Sequence, residues 1–149
     1  MIAGLYEAHL PVSDLDRAVA FYQRLGLKLA SRDAGLAFFW LEEGRSWLGL
    51  WERPDLARTP YHPSLRHVAF RVSFADLRRA CAWLRERGIE PRPDEGFGGH
   101  EPTVRPRSAT GALYFDDPDG NSLELLSNLP GPTHDWDRMY LSEWERRLG

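Results

Sequence analysis

The segments DLDRAVAFYQRLG (residues 14–26) and DLRRACAWLRERG (residues 76–88) are two versions of one amphipathic helix. In each, apolar residues recur at i, i+3, i+4 and i+7, the spacing of one buried helix face. At a shift of 62 residues, six of the thirteen aligned positions are identical. The identities include the charged pair Asp14 and Asp76, which helix periodicity does not require. The pattern therefore indicates an internal duplication.

The sequence around the two helices repeats as well. A strand-like segment precedes each helix, at residues 5–12 and 65–72. Short apolar runs bounded by turn residues follow the helices, at residues 27–30, 36–41, 47–51, 89–92, 112–115 and 123–126. Each half thus predicts one strand, one helix and three further strands. A four-stranded sheet with a single helix leaves one face uncovered, so we expect two such sheets to face each other.

These segments predict an α+β fold in which two βαβββ repeats pair their curved sheets around a cleft. The first repeat spans residues 5–52 and the second spans residues 65–128. Residues 53–64 are rich in proline and polar side chains, which is typical of a connector. Residues 1–128 then form a single domain, and residues 129–149 form a C-terminal tail that is partly helical.

The composition excludes several classes of function. The chain has 149 residues, a net charge of -3, a pI of about 5.9 and no basic stripe, so nucleic acid is not an expected partner. Its single cysteine, Cys81, excludes an internal disulfide. No apolar run approaches the roughly 20 residues of a membrane span, and the first residues do not resemble a signal peptide. We therefore expect a cytoplasmic protein, with no membrane contact, whose partner is a small molecule.

The duplication itself points to a candidate site. Glu7 and His67 each lie five residues before the end of the corresponding strand. Glu124 interrupts an apolar strand of the second repeat, and Gly49 stands at the matching place in the first. Ionisable side chains thus occupy three of the four positions that the repeat relates, and these positions would converge in the cleft. The alternative explanation is an ordinary pairing of Glu124 with a nearby arginine.

One imidazole and two carboxylates suit a Zn²⁺, Mn²⁺, Ni²⁺ or Fe²⁺ ion that keeps positions open for a substrate. We therefore predict Glu7, His67 and Glu124 as ligands of a divalent metal ion. His9 lies two residues after Glu7, so the strand pleat directs both side chains to one face. His9 either replaces Glu7 as the third ligand or acts on the substrate beside the ion.

A resemblance to a known family is carried by three segments: HLPVSDLDRAVAFYQRLGL (9–27), RHVAFRV (66–72) and YFDDPDGNSLEL (114–125). Over residues 5–128 the chain resembles the vicinal oxygen chelate superfamily, which includes glyoxalase I, fosfomycin-resistance thiol transferases, bleomycin-resistance proteins and extradiol dioxygenases. The four metal-binding strand positions of that family fall on the residues that the repeat selects: Glu7, Gly49, His67 and Glu124. Glu7 replaces the commoner histidine, and Gly49 has no side chain to bind an ion. The resemblance also implies a homodimer.

The resemblance implies a glyoxalase-like, metal-dependent enzyme that acts on a small, oxygen-chelating substrate. Its chemistry would be that of a lyase or isomerase, or that of a thiol transferase with a low-molecular-weight thiol as co-substrate. Glu124 and His9 are the expected catalytic residues. His9, Trp51 and Arg105 are the expected substrate contacts, with Arg105 in the polar loop at residues 96–111.

Two other functions remain open. A non-catalytic resistance protein of the bleomycin-resistance kind would bind a drug or metabolite without metal, and the ionisable residues would form an ordinary hydrogen-bonded cluster. An extradiol-type dioxygenase would need two histidines and one carboxylate around iron, and it would therefore use His9 in place of Glu7.

Overall fold

The computed structural model describes residues 4–62, 65–94 and 96–149. Residues 1–3 and 95 of the predicted domain, and residues 63–64 at the end of the predicted connector, lie outside the described residues. The chain divides into two units. The first unit comprises Met1–Arg66 with Asp117–Asn121, and the second comprises His67–Asp116 with Ser122–Gly149.

The first unit contains a four-stranded sheet in the order β1-β4-β3-β2. Its strands are β1 (Glu7–Val12), β2 (Lys28–Asp33), β3 (Leu36–Glu42) and β4 (Ser46–Glu52). Strand β1 runs parallel to β4, whereas the other neighbours are antiparallel. Helix α1 (Leu15–Arg24) connects β1 to β2, and the short helix α2 (Pro54–Ala57) follows β4.

The second unit contains a five-stranded sheet in the order β5-β8-β7-β6-β9. Its elements are β5 (His67–Arg71), α3 (Phe74–Arg85), β6 (Thr103–Arg105), a 3₁₀ turn (Pro106–Ser108), β7 (Thr110–Asp116), β8 (Ser122–Asn128), β9 (Met139–Tyr140) and α4 (Leu141–Leu148). Strand β5 pairs with β8 in parallel, as β1 pairs with β4. The predicted α+β class is confirmed, and both units have βαβββ connectivity.

One predicted strand was wrong. Residues 89–92 form no strand, and their only bridge in this sheet joins Pro91 to Phe115. Pro91 and Pro93 lack the N–H groups that a strand ladder needs, so regular pairing cannot continue along this segment. Strand β6, which begins eleven residues after the end of the predicted strand, takes its place, and β9 extends the sheet beyond β6.

One face of each sheet packs against a helix. Side-chain caps start these helices: Asp14 accepts a hydrogen bond from the Arg17 backbone at 2.9 Å, and Ser73 accepts one from the Asp76 backbone at 3.1 Å. The buried apolar strand residues on the helix side include Leu10, Val12, Ala37, Phe39, Leu48 and Leu50 in the first unit and Val104, Leu113, Phe115, Leu123 and Leu125 in the second. Residues between them alternate to the face opposite the helix.

None of the helices in the described ranges is both long enough and apolar enough to cross a lipid bilayer.

The turn DPDGN (117–121) packs in the first unit around one buried carboxylate. Asp117 accepts hydrogen bonds from the Tyr22 hydroxyl at 3.0 Å and from the Asn121 side chain at 2.7 Å. The backbone N–H groups of Asp119 and Asn121 donate to its other oxygen, each at 2.9 Å. Burial raises the pKa of Asp117, and these four donors oppose the rise. Gly120 closes the turn at a φ of 75°, which favours glycine.

We expect Asp117→Ala to lower the free energy of unfolding by about 3 kcal/mol, because four donors, three of them buried, would lose their acceptor at once. Urea denaturation of the purified variant measures this change. Asp135→Ala is the matched control, since the Asp135 side chain is 92% exposed, and it should change stability by less than about 0.5 kcal/mol. Equal effects of the two substitutions would show that the turn does not depend on this carboxylate.

Candidate functional site

The parallel pairing of β5 with β8 brings two of the predicted ligands together in the second unit. The register places His67 opposite Ser122 and Ala69 opposite Glu124. The two side chains meet on the face opposite α3, where His67 Nε2 lies 3.0 Å from Glu124 Oε2. Glu124 is only 5% exposed, so this carboxylate is held almost entirely by protein.

The second ring nitrogen of His67 lies against the backbone of β8. His67 Nδ1 is 3.1 Å from the Ser122 carbonyl oxygen, which can only accept a hydrogen bond. A proton on Nδ1 would leave the Nε2 lone pair directed at a carboxylate oxygen, so a proton or a cation must occupy the space between them. Metal-binding histidines commonly donate their second N–H to a carbonyl in this way.

The pair of His67 and Glu124 supplies two donors of the kind that a divalent metal ion binds. An imidazole nitrogen and a carboxylate oxygen 3.0 Å apart can both lie at about 2.1 Å, the usual ligand distance, from one ion. This nitrogen and oxygen pair suits Zn²⁺, Mn²⁺, Ni²⁺ and Fe²⁺ alike.

Arg105 and Tyr114 complete the surroundings of Glu124. Tyr114 is the cross-strand neighbour of Glu124 in β7, and its ring centroid lies 6.2 Å from that of His67. Arg105 is the last residue of β6 rather than part of a loop. It donates to the Tyr114 hydroxyl at 2.8 Å and lies 3.8 Å from Glu124. The site thus places one cation and one phenol beside the carboxylate.

The Tyr114 phenol remains a hydrogen-bond donor. Burial is the largest cause that raises its pKa, and the Glu124 carboxylate adds to the rise, whereas Arg105 opposes it. Sequence reasoning missed Tyr114, although it begins the segment YFDDPDGNSLEL that carried the family resemblance. Only the register between β7 and β8 shows that it stands beside Glu124.

The first unit contains a second pair of predicted site residues, Glu7 and His9, on β1. Glu7 Oε1 lies 3.4 Å from His9 Nε2, and Glu7 Oε2 accepts a hydrogen bond from the Trp47 indole at 2.8 Å. The Trp47 hydrogen bond is the largest cause that lowers the pKa of Glu7, followed by the hydrogen bond with His9. Glu7 is therefore a charged carboxylate, the form that binds a metal ion.

Trp51 fixes the protonation of His9. Its indole N–H donates to His9 Nδ1 at 2.8 Å, and because an indole can only donate, the imidazole proton lies on Nε2. The Nε2–H group then faces Glu7. Both ring nitrogens of His9 thus have partners within the first unit. Trp51, which was predicted as a substrate contact, donates a hydrogen bond to His9, and 46% of its surface remains exposed.

Gly49, the position without a ligand side chain, makes room for the His9 ring. The parallel register places Gly49 opposite His9. A Cβ atom on residue 49 would collide with the His9 imidazole and would lie 3.0 Å from Phe38. The His9 ring from β1 therefore fills the space that a side chain at residue 49 of β4 would occupy.

Among residues 4–62, 65–94 and 96–149, no three His, Cys, Asp or Glu side chains are grouped so that they could hold a metal ion. The structure instead shows two pairs, Glu7 with His9 in the first unit and His67 with Glu124 in the second.

The family model described as "Glyoxalase/Bleomycin resistance protein/Dioxygenase superfamily" matches residues 4–125. The chain belongs to this superfamily. The expected family resemblance is thereby confirmed over nearly the whole chain apart from the C-terminal tail.

Known members of the superfamily differ in function. The chain is 30% identical over 125 residues to metallothiol transferase FosB of Shouchella clausii, which covers 84% of this chain and 80% of that protein. The crystal structure of fosfomycin resistance protein FosX from Mesorhizobium loti matches with a TM-score of 0.58 and 25% identity over the whole of both chains. A bleomycin resistance determinant encoded on transposon Tn5 also matches with a TM-score of 0.58 and 25% identity, over 85% of this chain and 98% of that one.

We expect Gly49→Ala to destabilise the protein by about 1–3 kcal/mol, because the new methyl group must displace the His9 ring. Chemical denaturation gives the change in unfolding free energy. Gly4→Ala serves as the control, since a Cβ atom at residue 4 meets nothing within 4 Å. A variant at residue 49 as stable as this control would contradict the close packing of His9 on β4.

Proposed function

We propose that the protein is a metal-dependent transferase that joins a low-molecular-weight thiol to a small electrophile carrying neighbouring oxygen atoms. The observation that carries this proposal is the His67–Glu124 pair, in which Nε2 and Oε2 lie 3.0 Å apart and Nδ1 lies against a carbonyl. The metallothiol transferase name of the FosB relative supports the choice of thiol transfer over lyase or isomerase chemistry.

The proposed metal ligands are His67 and Glu124, both in the second unit, whereas the predicted ligand Glu7 lies in the first unit. Within the first unit Glu7 is a better candidate ligand than His9, because its carboxylate keeps lone pairs available, whereas Trp51 and Glu7 occupy both nitrogens of His9. His9 is the neighbour of Glu7, and its Nε2–H can turn from Glu7 to a substrate oxygen. Extradiol ring cleavage is less well supported, because it needs His9 itself as a ligand.

A bound ion would polarise the substrate oxygens and stabilise the negative charge that forms on oxygen as sulfur adds to carbon. With an epoxide as the electrophile, a C–S bond forms, a C–O bond of the ring breaks, and the thiol proton ends on the new hydroxyl group. Arg105 donates to Tyr114 and lies 3.8 Å from both Glu124 and Asp94, and its remaining N–H groups can bind an anionic group of the substrate. Tyr114 supplies a neutral O–H donor at the same place.

A non-catalytic binding protein is the second candidate function, and one feature of the first unit favours it. Aromatic rings occupy the face opposite α1: Trp47 lies 5.1 Å from Phe38 and 5.0 Å from Trp40 between ring centroids. Such a surface can bind a flat apolar ligand without metal. The similarity to the bleomycin resistance determinant supports the same function.

Formation of a thiol adduct distinguishes the proposed transferase from a non-catalytic binding protein. The full chain, loaded in turn with Mn²⁺, Zn²⁺, Ni²⁺ or Fe²⁺, is incubated with fosfomycin and either L-cysteine or glutathione, and mass spectrometry follows the adduct. We expect an adduct with the summed mass of the two substrates, formed only with metal. His67→Ala and Glu124→Gln should each lower its rate at least about 100-fold.

His100→Ala is the matched control, because this histidine is exposed and lies outside the proposed site, and its rate should equal that of the wild type. Stoichiometric binding of fosfomycin or bleomycin that needs no metal, with no adduct for any pair of substrates, would establish the binding function instead. Oxygen consumption with catechols would establish ring cleavage.

A further inference from the structure

A cleft in the second unit is formed by the turn that follows β6 and by the C-terminal segment. Its volume is about 330 Å³, which is within the range of binding sites for small molecules. Backbone hydrogen bonds join the two segments: the Leu129 N–H donates to the Ala109 carbonyl at 2.8 Å, and the His134 N–H donates to the Pro106 carbonyl at 3.0 Å. The residues that line this arginine cleft are Arg105, Pro106, Arg107, Ser108, Trp136 and Arg138.

The side chains that line the arginine cleft have hydrogen-bond donors to spare. A guanidinium carries five N–H groups. Among the described residues, Arg105 donates one hydrogen bond, to the Tyr114 hydroxyl, and Arg107 donates one, to Asp135. No residue in the described ranges accepts a hydrogen bond from the Trp136 indole N–H, although the Trp136 ring contacts neighbouring side chains. Such a surface suits a ligand group that only accepts hydrogen bonds.

Carboxylates of the chain itself show which group Arg107 binds. Arg107 Nε donates to Asp135 at 2.8 Å, and Arg107 Nη2 lies 3.5 Å from Asp137. The side chains of Asp135 and Asp137 are 92% and 96% exposed, and ion pairs that are so exposed to water are weak. Asp94, by contrast, is largely buried against Arg138. The two exposed carboxylates can therefore give way to a carboxylate from outside the chain.

We propose that the arginine cleft binds the carboxylate group of a small organic molecule, which replaces Asp135 and Asp137 on Arg107. A carboxylate matches the forked geometry of a guanidinium and can accept two hydrogen bonds from it. Once the two exposed carboxylates are displaced, the three arginines of the cleft face only the largely buried carboxylates of Asp94 and Glu124. One ligand carboxylate then balances the remaining positive charge.

Arg105 belongs to both the arginine cleft and the candidate site, because it lines the cleft and also donates to Tyr114 beside Glu124. The cleft therefore adds recognition of a carboxylate next to the His67–Glu124 pair. Binding in the cleft needs no metal ion, so it can be tested independently of the proposed metal ligands.

The test titrates succinate into metal-free, full-length protein at about pH 7, where carboxylates of ligand and protein are ionised. The ionic strength is held constant, because salt screens exposed charges. Two-dimensional ¹H–¹⁵N NMR spectra resolve the indole N–H signals, and Trp136→Phe identifies the signal of Trp136. We expect this signal to shift and to saturate with a Kd of about 1–10 mM, as for a small ligand bound mainly through exposed charges.

Substitutions of Arg107 and of its two partners should change the Kd for succinate in opposite directions. Arg107→Met removes a guanidinium that binds the ligand, and it should raise the Kd at least about fivefold. The double variant Asp135→Asn/Asp137→Asn removes the competing carboxylates, and it should lower the Kd about two- to fivefold. A general loss of stability would not tighten binding, so the opposite signs distinguish ligand binding from a structural effect.

The matched controls change the same charges elsewhere in the second unit. Arg85→Met removes one exposed guanidinium, and Glu86→Gln/Glu90→Gln removes two exposed carboxylates. None of these residues lines the arginine cleft, so both controls should bind succinate with the Kd of the wild type.

Three results would overturn the proposal: equal Kd values for the wild type and Arg107→Met, weaker binding by Asp135→Asn/Asp137→Asn, or no saturating shift of the Trp136 signal. Tighter binding of inorganic phosphate than of succinate would assign the arginine cleft to a phosphate group and would overturn the choice of a carboxylate. If no thiol adduct forms with any metal, the proposed transferase function fails, whereas the succinate titration still decides the role of the cleft.

Discussion

The pairing of two parallel strands, β5 and β8, is the constraint on which the candidate site depends. Their register puts His67 beside Ser122 and, one step along the same face, beside Glu124. The residues between them point to α3 and belong to the core. A shift of the strand register by one residue would therefore turn the site residues towards the core and the core residues towards the site. The apolar residues Leu123 and Leu125 fix this register, because both are buried on the helix side.

The two units apply the same topology to different pairs of side chains. In the second unit the imidazole and the carboxylate come from neighbouring strands, whereas in the first unit Glu7 and His9 come from alternate positions of one strand. Gly49 links these observations, because only a residue without a side chain leaves space on β4 for the His9 ring. Each unit thus has one pair of an imidazole and a carboxylate, within a single strand in the first unit and between two strands in the second.

Much of the fold could be predicted from the sequence, because helix periodicity and the repeated strand pattern depend on local spacing. The repeat also selected His67 and Glu124, since equivalent strand positions are a property of sequence. The contacts of Tyr114 and Trp51 could not be predicted, because each depends on which strands are neighbours in a sheet and in which register they pair. The prediction of a strand at residues 89–92 was wrong because it relied on the apolar pattern of this segment. Pro91 and Pro93 have no N–H group to donate, and they prevent regular strand pairing there.

The most direct test of the central claim is to locate a metal ion by anomalous X-ray diffraction from crystals grown with Mn²⁺ or Zn²⁺. We expect an anomalous peak within about 2.3 Å of both His67 Nε2 and a Glu124 carboxylate oxygen. A direct hydrogen bond between these two atoms at saturating metal, with no peak between them, would contradict it.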